Sequence, residues 1–444
     1  MTEHTRYDGL LSVMEDAWAD SAGAIDAYRQ SVDGLYETDS LAAEIVDALV
    51  DDATGKGWSV RLQDVDETDA LDEPLEDLCV RQKIAHAAKQ ARLYGGAAIV
   101  LVTDDPAPLD EPLDPSRVRA LTDLRVLDLS EIRPSAWEAD WLSPRFGAPS
   151  EYNLTPLSRG AVAPSLRVHA SRVIPCFGDR LSRAREDRLD GWGLSVLARP
   201  ARKLARFEAL EEQIGDIVAR YRYGVLHLAG LAGMVGSENG EAMLVKRLRA
   251  MSLGQRRGGV TVLDGDDKWT DVSATVTGLS DLWDRGAASV ASAARMPMTR
   301  LFGLAPGGLA STDDSGLQWW RDRVSDYQQQ ELRPAIDRIV EVYAASRDGV
   351  LGGAAPESWT VEFHPLDEPT TDEAASARLK NAQADAIYLD RGVVSPSRVA
   401  QDRFGGDSGD DLAMTDGEIE AVEAQAVAAA QAPQGAPVDA GAPA

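Results

Sequence analysis

The chain has 444 residues, of which 44% are hydrophobic, and a formal net charge of −28 from 45 basic and 73 acidic side chains. The hydrophobic share is that of a globular protein and excludes global disorder. The acidic excess excludes a free-standing DNA-binding protein of the usual basic kind. Two cysteines cannot form a disulfide framework or a cysteine zinc site, and the five histidines lack metal-ligand spacing.

The sequence carries no visible targeting or membrane signal. Residues 1–7 are polar and lack a cationic region followed by an apolar run, so they do not resemble a signal peptide. No stretch approaches the ~18 uninterrupted apolar residues of a membrane span. We therefore expect a protein that is soluble and intracellular when made, with no membrane partner, metal or cofactor.

Charge is distributed unevenly along the chain. Residues 1–75 contain 4 basic and 19 acidic side chains, and residues 367–444 contain 5 and 15. Residues 198–260 reverse the balance, with 11 basic and 6 acidic side chains. A basic central segment therefore lies between two acidic ends, which indicates a distinct electrostatic role for that segment.

The first part of the chain predicts a mixed α/β body. Apolar residues recur at helical spacing in residues 41–53 and 80–94, and Asp39 and Ser40 are suited to cap the first of these helices. Alternating or continuous apolar runs predict strands at residues 58–62, 97–102, 124–129 and 166–174. The Pro, Gly and Ser content of residues 134–164 favours irregular structure there.

A long helix and a small insert follow. Residues 195–221 present one apolar stripe, with Ser195 as the expected N-cap and Pro200 in the first turn, where proline is tolerated. The insert is expected to contain strands at 225–228, 260–263 and 271–276 and a charged helix at 242–250. A second helix, residues 279–294, is rich in alanine, which allows close helix contact.

The last part of the chain predicts a loop, a very long helix and a return to the body. Residues 296–313 contain two prolines and three glycines and cannot be helical throughout. Asp313 or Asp314 is expected to cap a helix over 315–347, which Pro334 should kink or interrupt. The remaining expectations are a strand at 359–363, helices at 371–389, 395–403 and 419–431, and disorder in the final dozen residues.

No segment carries a nucleotide-binding or catalytic motif. The GxxxxGK(S/T), GxGxxG and GxSxG patterns are absent, and the Gly55-Lys56 pair is typical of a helix C-cap. His169 and Ser171 lie two residues apart on one predicted strand, which allows a Ser–His dyad or simply two ordinary strand positions. One alternative function is therefore a hydrolytic enzyme with a site under the 296–312 loop; another is a monomeric interaction scaffold.

The order of the parts is more informative than any motif. Two helices that enclose an α/β insert are typical of a stalk with the insert at its tip, and a loop after the second helix would project sideways. Such a stalk has apolar and small-residue faces that one copy cannot bury, whereas a closed ring of copies would bury them. A compact monomer that packs those faces against its own body is the alternative.

Five segments, taken in order, resemble one known family. They are RLYGGAAIV at 92–100, VHASRVI at 168–174, GWGLSVL at 191–197, AARMPMTRLFGLAPGGLAST at 293–312, and the long helix from WWR at 319–321 to QELRP at 330–334. The chain resembles, over about residues 40–400, the portal (connector) proteins of tailed double-stranded DNA viruses, which often show P-x-T-x-L-F-G followed by a small-residue loop. The resemblance implies an α+β portal-type fold with an α/β wing, a helical stem, a small α/β clip and a long kinked helix, assembling as a ring.

The resemblance also implies a division of the chain. The expected parts are a wing (1–194), two stem helices (195–221 and 278–295), a clip (222–277), a tunnel loop (296–312), a long helix with the wing return strand (313–366), a C-terminal helical or crown region (367–404) and an acidic, largely disordered tail (405–444).

The function implied is that of a portal with no catalytic activity of its own. Such a protein is a ring of typically twelve subunits at one capsid vertex of the virion, assembled in the host cytoplasm, through which double-stranded DNA is packaged and ejected. Implied partners are the terminase packaging motor, head-completion or adaptor proteins, and the major capsid or scaffold protein. The loop residues expected to face the DNA are Arg300, Leu304, Pro306, Gly307, Gly308, Ser311 and Thr312.

The basic side chains of the expected stem and clip form a second candidate set. They are Arg199, Arg202, Lys203, Arg206, Lys246, Arg247, Arg249, Arg256 and Arg257. DNA must slide through a channel, and affinity rises with each neutralised phosphate, so a lining with few cations suits passage. We expect some of these residues to form sparse cationic rings or to meet an acidic neighbouring subunit, with ordinary solvated charges as the alternative.

Overall fold

The computed structural model describes residues 22–62, 70–158, 161–162, 164–219, 222–227, 242–246, 248–249, 268–273, 278–303, 310–354, 356, 358–366, 371–391, 393–396, 398–400 and 421. It divides into two compact units, Met1–Leu366 and Asp367–Ala444. Helices and small antiparallel sheets alternate along the first unit, which confirms the predicted mixed fold class.

The N-terminal part of the first unit is an α/β body. Its elements are α1 Ala22–Thr38, α2 Ser40–Gly55, β1 Trp58–Leu62, α3 Asp72–Asp77, α4 Val80–Tyr94, β2 Gly96–Asp104, β3 Ala120–Asp128, β4 Ile132–Trp137, β5 Pro149–Leu154, β6 Leu157–Ser158, β7 Ala161–Val162, β8 Leu166–His169, β9 Val173–Phe177 and α5 Arg183–Glu186. The predicted helices at 41–53 and 80–94 are confirmed. Asp39 caps α2, because its Oδ1 accepts the backbone N–H groups of Leu41 and Ala42 at 2.8 and 3.3 Å.

Two expectations for this part were wrong. Residues 134–164 are not irregular throughout, since β4 and β5 pair antiparallel within them. The prolines that suggested a loop occupy tolerated positions: Pro134 lies beside a register shift and Pro149 is the first residue of its strand. The strand expected over 166–174 is broken after His169 by one 3-10 turn, Ala170–Arg172, because the His169 side chain caps that turn.

The second part of the first unit contains the helices and the insert. Its elements are α6 Ala201–Ala219, β10 Arg222–His227, β11 Lys268–Ser273, α7 Leu279–Ala294, α8 Met298–Phe302, α9 Ala310–Tyr327, a π-helical turn Gln328–Leu332, α10 Arg333–Ala344 and β12 Trp359–Phe363. Strand β12 pairs with β1, as a return strand should. The predicted bounds of α7 and β12 are confirmed. The insert strands run 222–227 and 268–273 rather than 225–228 and 271–276, and residues 260–263 lie outside the described residues.

The long helices differ from the prediction at their ends. Helix α6 begins at Ala201 and not at Ser195, because Pro200, which has no N–H, lies directly before the first helical residue. Helix α9 begins at Ala310, so Asp313 and Asp314 lie within it and neither is a cap. The expected interruption near Pro334 is confirmed as the π-helical turn, which accommodates a proline ring that would clash with the carbonyl of Gln330 in a regular helix.

The main core lies between α2, α4, the β3-β2-β9 sheet and α10. Fully buried Ile45, Ile84, Leu101 and Ile336 represent these four elements. A smaller cluster around Trp192 lies under the β4-β5-β8 sheet. The two core regions meet at a close backbone approach: Gly95 has φ +96°, and a Cβ there would lie 2.5 Å from the carbonyl oxygen of Gly193.

The second unit contains α11, Thr371–Asp390, which confirms the helix expected from residue 371. Of the helix expected at 395–403, residues 396 and 398–400 are helical, and residues 401–403 lie outside the described residues. The tail at 405–444, with the helix expected at 419–431, also lies outside them except for residue 421. Among the described helices, none has the length and apolar character needed to cross a membrane.

Candidate functional site

Helices α6 and α7 form a pair that encloses the insert. Phe207 of α6, Trp283 of α7 and Phe302 of α8 contact one another edge to face, with ring centroids 5.6 to 5.7 Å apart. Trp283 also donates its Nε1–H to Glu211 at 2.9 Å. The helices approach closely at Gly286, where a Cβ would lie 2.8 Å from Leu210 Cδ2. The pair is therefore held by an aromatic cluster to which α8 contributes Phe302.

The insert leaves and re-enters the helix pair through one two-stranded ribbon. Strands β10 and β11 are antiparallel, with Arg222 opposite Ser273 and His227 opposite Lys268. Chain entry and exit therefore lie side by side. This is the connection that a helix–insert–helix stalk requires.

The segment that follows α7 is anchored by one carboxylate. Asp52 of α2 accepts hydrogen bonds from Arg300 Nε at 2.8 Å and Arg300 Nη2 at 3.0 Å, and from Trp320 Nε1 at 2.8 Å. Arg300 also donates to Glu44. The hydrogen bonds that Arg300 donates to Asp52 raise the pKa of Arg300. Burial acts in the opposite direction, and the charges of Asp52 and Glu44 raise the pKa further. Asp52 thus holds α8 and α9, the helices on the two sides of residues 304–309.

Arg300 therefore lies in a different setting from the one expected. The sequence predicted a loop cation that faces DNA, whereas the guanidinium is bound by two carboxylates of its own chain. Sequence reasoning missed Asp52, Glu44 and Trp320. Glu44 and Asp52 lie about two turns apart on one helix, but nothing local indicates a partner 248 residues away.

The other expected loop residues fall into two groups. Leu304, Pro306, Gly307 and Gly308 lie outside the described residues. Ser311 and Thr312 belong to the first turn of α9, so the backbone there is helical. The stretch from 296 to 312 is not helical throughout, as expected, because α8 ends at Phe302 and Gly303 follows with φ +66°.

The basic residues of the helix pair differ in their pairing. Arg199 precedes α6 and forms an ion pair with Asp179 at 2.9 Å. Arg202, Lys203 and Arg206 are exposed on α6, and no carboxylate of the described residues pairs with them. In the insert, Lys246 and Arg249 are exposed, while Arg247, Arg256 and Arg257 lie outside the described residues.

His169 and Ser171 are close, but as a turn contact rather than on one strand. The Nδ1 atom of His169 accepts the backbone N–H of Ser171 at 3.1 Å and lies 2.8 Å from its Oγ. The Oγ atom in turn accepts the N–H of Leu113 at 2.7 Å. Burial, followed by the charge of Arg145, lowers the pKa of His169. The pair closes a turn, and no group of three or more His, Cys, Asp or Glu suited to a metal occurs among the described residues.

The family assignment follows from a match over most of the chain. A family model described as "Phage portal protein" matches residues 30–387, which include α6, the insert, α7, α8 and the long helix. The chain belongs to the phage portal protein family. Members of this family are structural proteins and not enzymes.

The curated relatives are similar in sequence to much of this chain, but they are longer than it. An "Anti-CBASS protein Acb1" of Caulobacter sp. is 27% identical over 78% of this chain and 56% of its own length. A protein of the same name from Sphingomonas paeninsulae is 25% identical over 89% and 64%. An uncharacterized protein of Haemophilus influenzae is 28% identical over 77% and 74%. The chain thus spans little more than half the length of the first of these relatives.

Solved structures give weaker likenesses. The neck of a native GTA particle, computed with C12 symmetry, has 14% identity and a TM-score of 0.45 over 83% of this chain and 92% of that chain. An HK97 family phage portal protein from Corynebacterium diphtheriae has 11% identity and a TM-score of 0.35 over 76% and 95%. The assignment therefore rests on the family match.

Proposed function

We propose that the chain is the subunit of a ring-shaped viral portal at one capsid vertex of the virion. Its channel passes double-stranded DNA during packaging and ejection. The observation that carries the proposal is the family match over residues 30–387, which takes in the whole helix–insert–helix arrangement and the segment after it.

Surface composition supports assembly into a ring, with twelve subunits the number we propose. Ile217 and Val218 of α6 and Leu282 of α7 are 39%, 56% and 51% exposed. A single copy leaves these apolar side chains in water, whereas neighbours around a closed ring would cover them. Residues 195–221 and 278–295 would then be the stem, with the clip of 222–277 at its tip.

The tunnel loop and its charges are consistent with sliding DNA. We assign the loop to residues 296–312, with Leu304, Pro306, Gly307, Gly308, Ser311 and Thr312 nearest to the duplex. The one arginine of this stretch, Arg300, already has two carboxylate partners. Because it is neutralised within the chain, it does not add a strong phosphate contact at the channel.

The remaining parts would serve as docking surfaces. The clip, with exposed Lys246 and Arg249, would receive the terminase motor and later the head-completion proteins. The wing, residues 1–194, would contact the capsid or scaffold protein. The subunits would assemble in the host cytoplasm.

The test combines mass with packaging. Mass photometry and negative-stain microscopy of the purified chain should give rings of about a dozen copies. Deleting residues 305–310 should leave the rings intact but impair DNA packaging or retention in a phage assembly assay. A chain that remained a folded monomer at every concentration and salt level would refute the portal assignment, and normal packaging by the deletion variant would refute the loop assignment.

A further inference from the structure

Helices α6 and α7 border a groove with a basic rim, which we call the stem groove. The groove has a volume of about 570 Å³. Its lining residues are Lys203, Arg206, Phe207, Ala209, Leu210, Gln213, Gly286 and Ser289. Two of these residues are cationic and none is acidic, while the aromatic and aliphatic side chains form an apolar floor.

The apolar floor continues along the helix pair towards the insert. At 3.6 residues per turn, Ile217 follows Gln213 on the same side of α6, and Leu282 precedes Gly286 on the same side of α7. The side chains of Ile217 and Leu282 are both exposed. A single subunit therefore leaves an apolar strip in water, with cations at one end of the strip.

The two cations of the stem groove have no counter-charge in one subunit. Lys203 and Arg206 are exposed, and no carboxylate of the described residues pairs with either side chain. They lie three residues apart on one side of α6, where like charges repel each other. A carboxylate that came from outside the subunit would relieve this repulsion.

Helix α7 carries the complementary charge on the side away from the groove. Asp284 and Ala288 are exposed, and each lies two residues from Gly286 and so about 200° around the helix from it. Asp281 is one turn before Asp284 and is also exposed. In the part of the chain that the structure describes, neither aspartate forms an ion pair, not even Asp281 with Arg285 four residues on. We call Asp281, Asp284 and Ala288 the acidic ridge.

The charges of the two surfaces lie at similar heights along the helix pair. Helices α6 and α7 are antiparallel, because one two-stranded ribbon joins the end of α6 to the start of α7. Gly286 lies beside Phe207 and Leu210. Counted from that level, Asp284 and Arg206 are separated by about 7 Å along the helix axis, which a long arginine side chain can span.

We propose that the acidic ridge of one subunit packs into the stem groove of the next, with Asp284 paired to Arg206. The inference rests on the proposed ring and names the surfaces that join its stems. Because the two surfaces differ, the contact is head to tail, which is a type of contact that can close into a ring. The small side chains of Ala288 and Ala209 let the helices approach closely, and the neighbour covers the apolar strip.

A second copy explains these surfaces better than DNA does. Phosphates would pair with the two cations, but they would leave the apolar strip in water and the acidic ridge without a counter-charge. Unpaired cations repeated around a channel would also hold DNA tightly and oppose sliding. The stem groove therefore lies between subunits.

Charge reversal on each surface tests the contact. We compare Arg206→Glu, Asp284→Arg and the variant that carries both changes. Mass photometry should show that each single change raises the concentration for half-assembly at least about tenfold, and that the double variant restores rings. An equimolar mixture of the two single variants should also form rings, because the ridge of each complements the groove of the other.

Matched controls separate the contact from a general effect of net charge. Arg183→Glu and Glu37→Arg change exposed residues outside the helix pair by the same charge and should leave assembly unchanged. If these controls disrupt rings as strongly as the stem variants, net charge sets assembly and the inference is refuted.

The outcomes also distinguish this inference from the proposed function. If the wild-type chain forms no rings, the proposed function and the inference both fail. If wild-type rings form and the stem variants assemble equally well, only the inference fails. If Arg206→Glu keeps its rings but loses binding to a labelled DNA duplex, Arg206 binds DNA and the inference is refuted.

Cooperative thermal unfolding of each variant shows whether the fold is intact. Should a reversal prevent folding, the milder Arg206→Gln and Asp284→Asn must each lower the salt concentration at which rings dissociate. Unchanged salt midpoints in these two variants would refute the contact.

Discussion

Arg300 and Trp320 share one acceptor, the carboxylate of Asp52, although one precedes and the other follows residues 304–309. The segment between them is therefore tied at both ends to the same helix, α2. If the two flanking helices move relative to α2, these hydrogen bonds must break.

Asp52→Ala should destabilise the first unit by about 1–3 kcal/mol, because it removes the shared acceptor and leaves partly buried donors without a partner. Asp51→Ala is the matched control, since the Asp51 side chain is 55% exposed where it pairs with Lys89 at 2.8 Å, and its loss should change stability by less than about 1 kcal/mol. Urea unfolding monitored by tryptophan fluorescence measures both. Equal midpoints for the two variants would contradict the anchoring role of Asp52.

Substituting alanine for two helical glycines should change the stability of the fold in opposite directions. In Gly286→Ala the new Cβ would lie 2.8 Å from Leu210 and 2.9 Å from Phe207. The Phe207 ring is fixed between Trp283 and Phe302, so the helix pair should lose about 1–3 kcal/mol. In Gly215→Ala nothing lies within 4 Å, and the variant should gain about 0.5–1 kcal/mol from backbone entropy. Thermal unfolding should show a lower midpoint for Gly286→Ala and a higher midpoint for Gly215→Ala. Stabilisation of both variants would show that the helix pair is loosely packed.

Local sequence patterns were enough to predict some elements, whereas other features could not be predicted from them. Helix α4 was predicted to the residue because its apolar period ends at Gly95, whose positive φ terminates the helix. The start of α9 was missed because Asp313 and Asp314 are typical caps, and the helix continues past them to Ala310. The anchoring of Arg300 could not be inferred at all, because its partners come from a helix formed some 250 residues earlier. Periodicity predicts elements, whereas tertiary contacts decide which charges remain available.

The buried Arg172 should be among the positions of the first unit where a substitution lowers stability most. Its guanidinium pairs with Asp105 at 2.8 Å, with the two side chains 1% and 4% exposed. Arg172→Ala leaves the Asp105 charge buried without its partner and should cost about 3–5 kcal/mol. Arg167→Ala removes one member of an exposed pair with Asp110 and should cost less than about 1 kcal/mol. Denaturant unfolding of the two variants gives the comparison, and a small effect at Arg172 would mean that water reaches Asp105.

His169 should make stability depend on pH on the acid side. Burial, then the charge of Arg145, holds its pKa below the ordinary value, while Glu151 acts in the opposite direction. The unfolded chain therefore binds the proton more readily than the folded chain does. The stability that neutral His169 adds to the fold is fully present above about pH 6.5 and is lost as the pH falls through the pKa of the folded state. Protonation also removes the Nδ1 lone pair that accepts the N–H of Ser171.

His169→Asn tests this dependence, because an asparagine oxygen can accept the same N–H without titrating. The stability difference between about pH 7.5 and about pH 5.5 should be smaller in the variant than in the wild type. His86→Asn is the control for removing a histidine elsewhere in the unit, on α4. Urea unfolding at both pH values provides the four free energies for each comparison. An unchanged difference in His169→Asn would show that this histidine does not set the acid response.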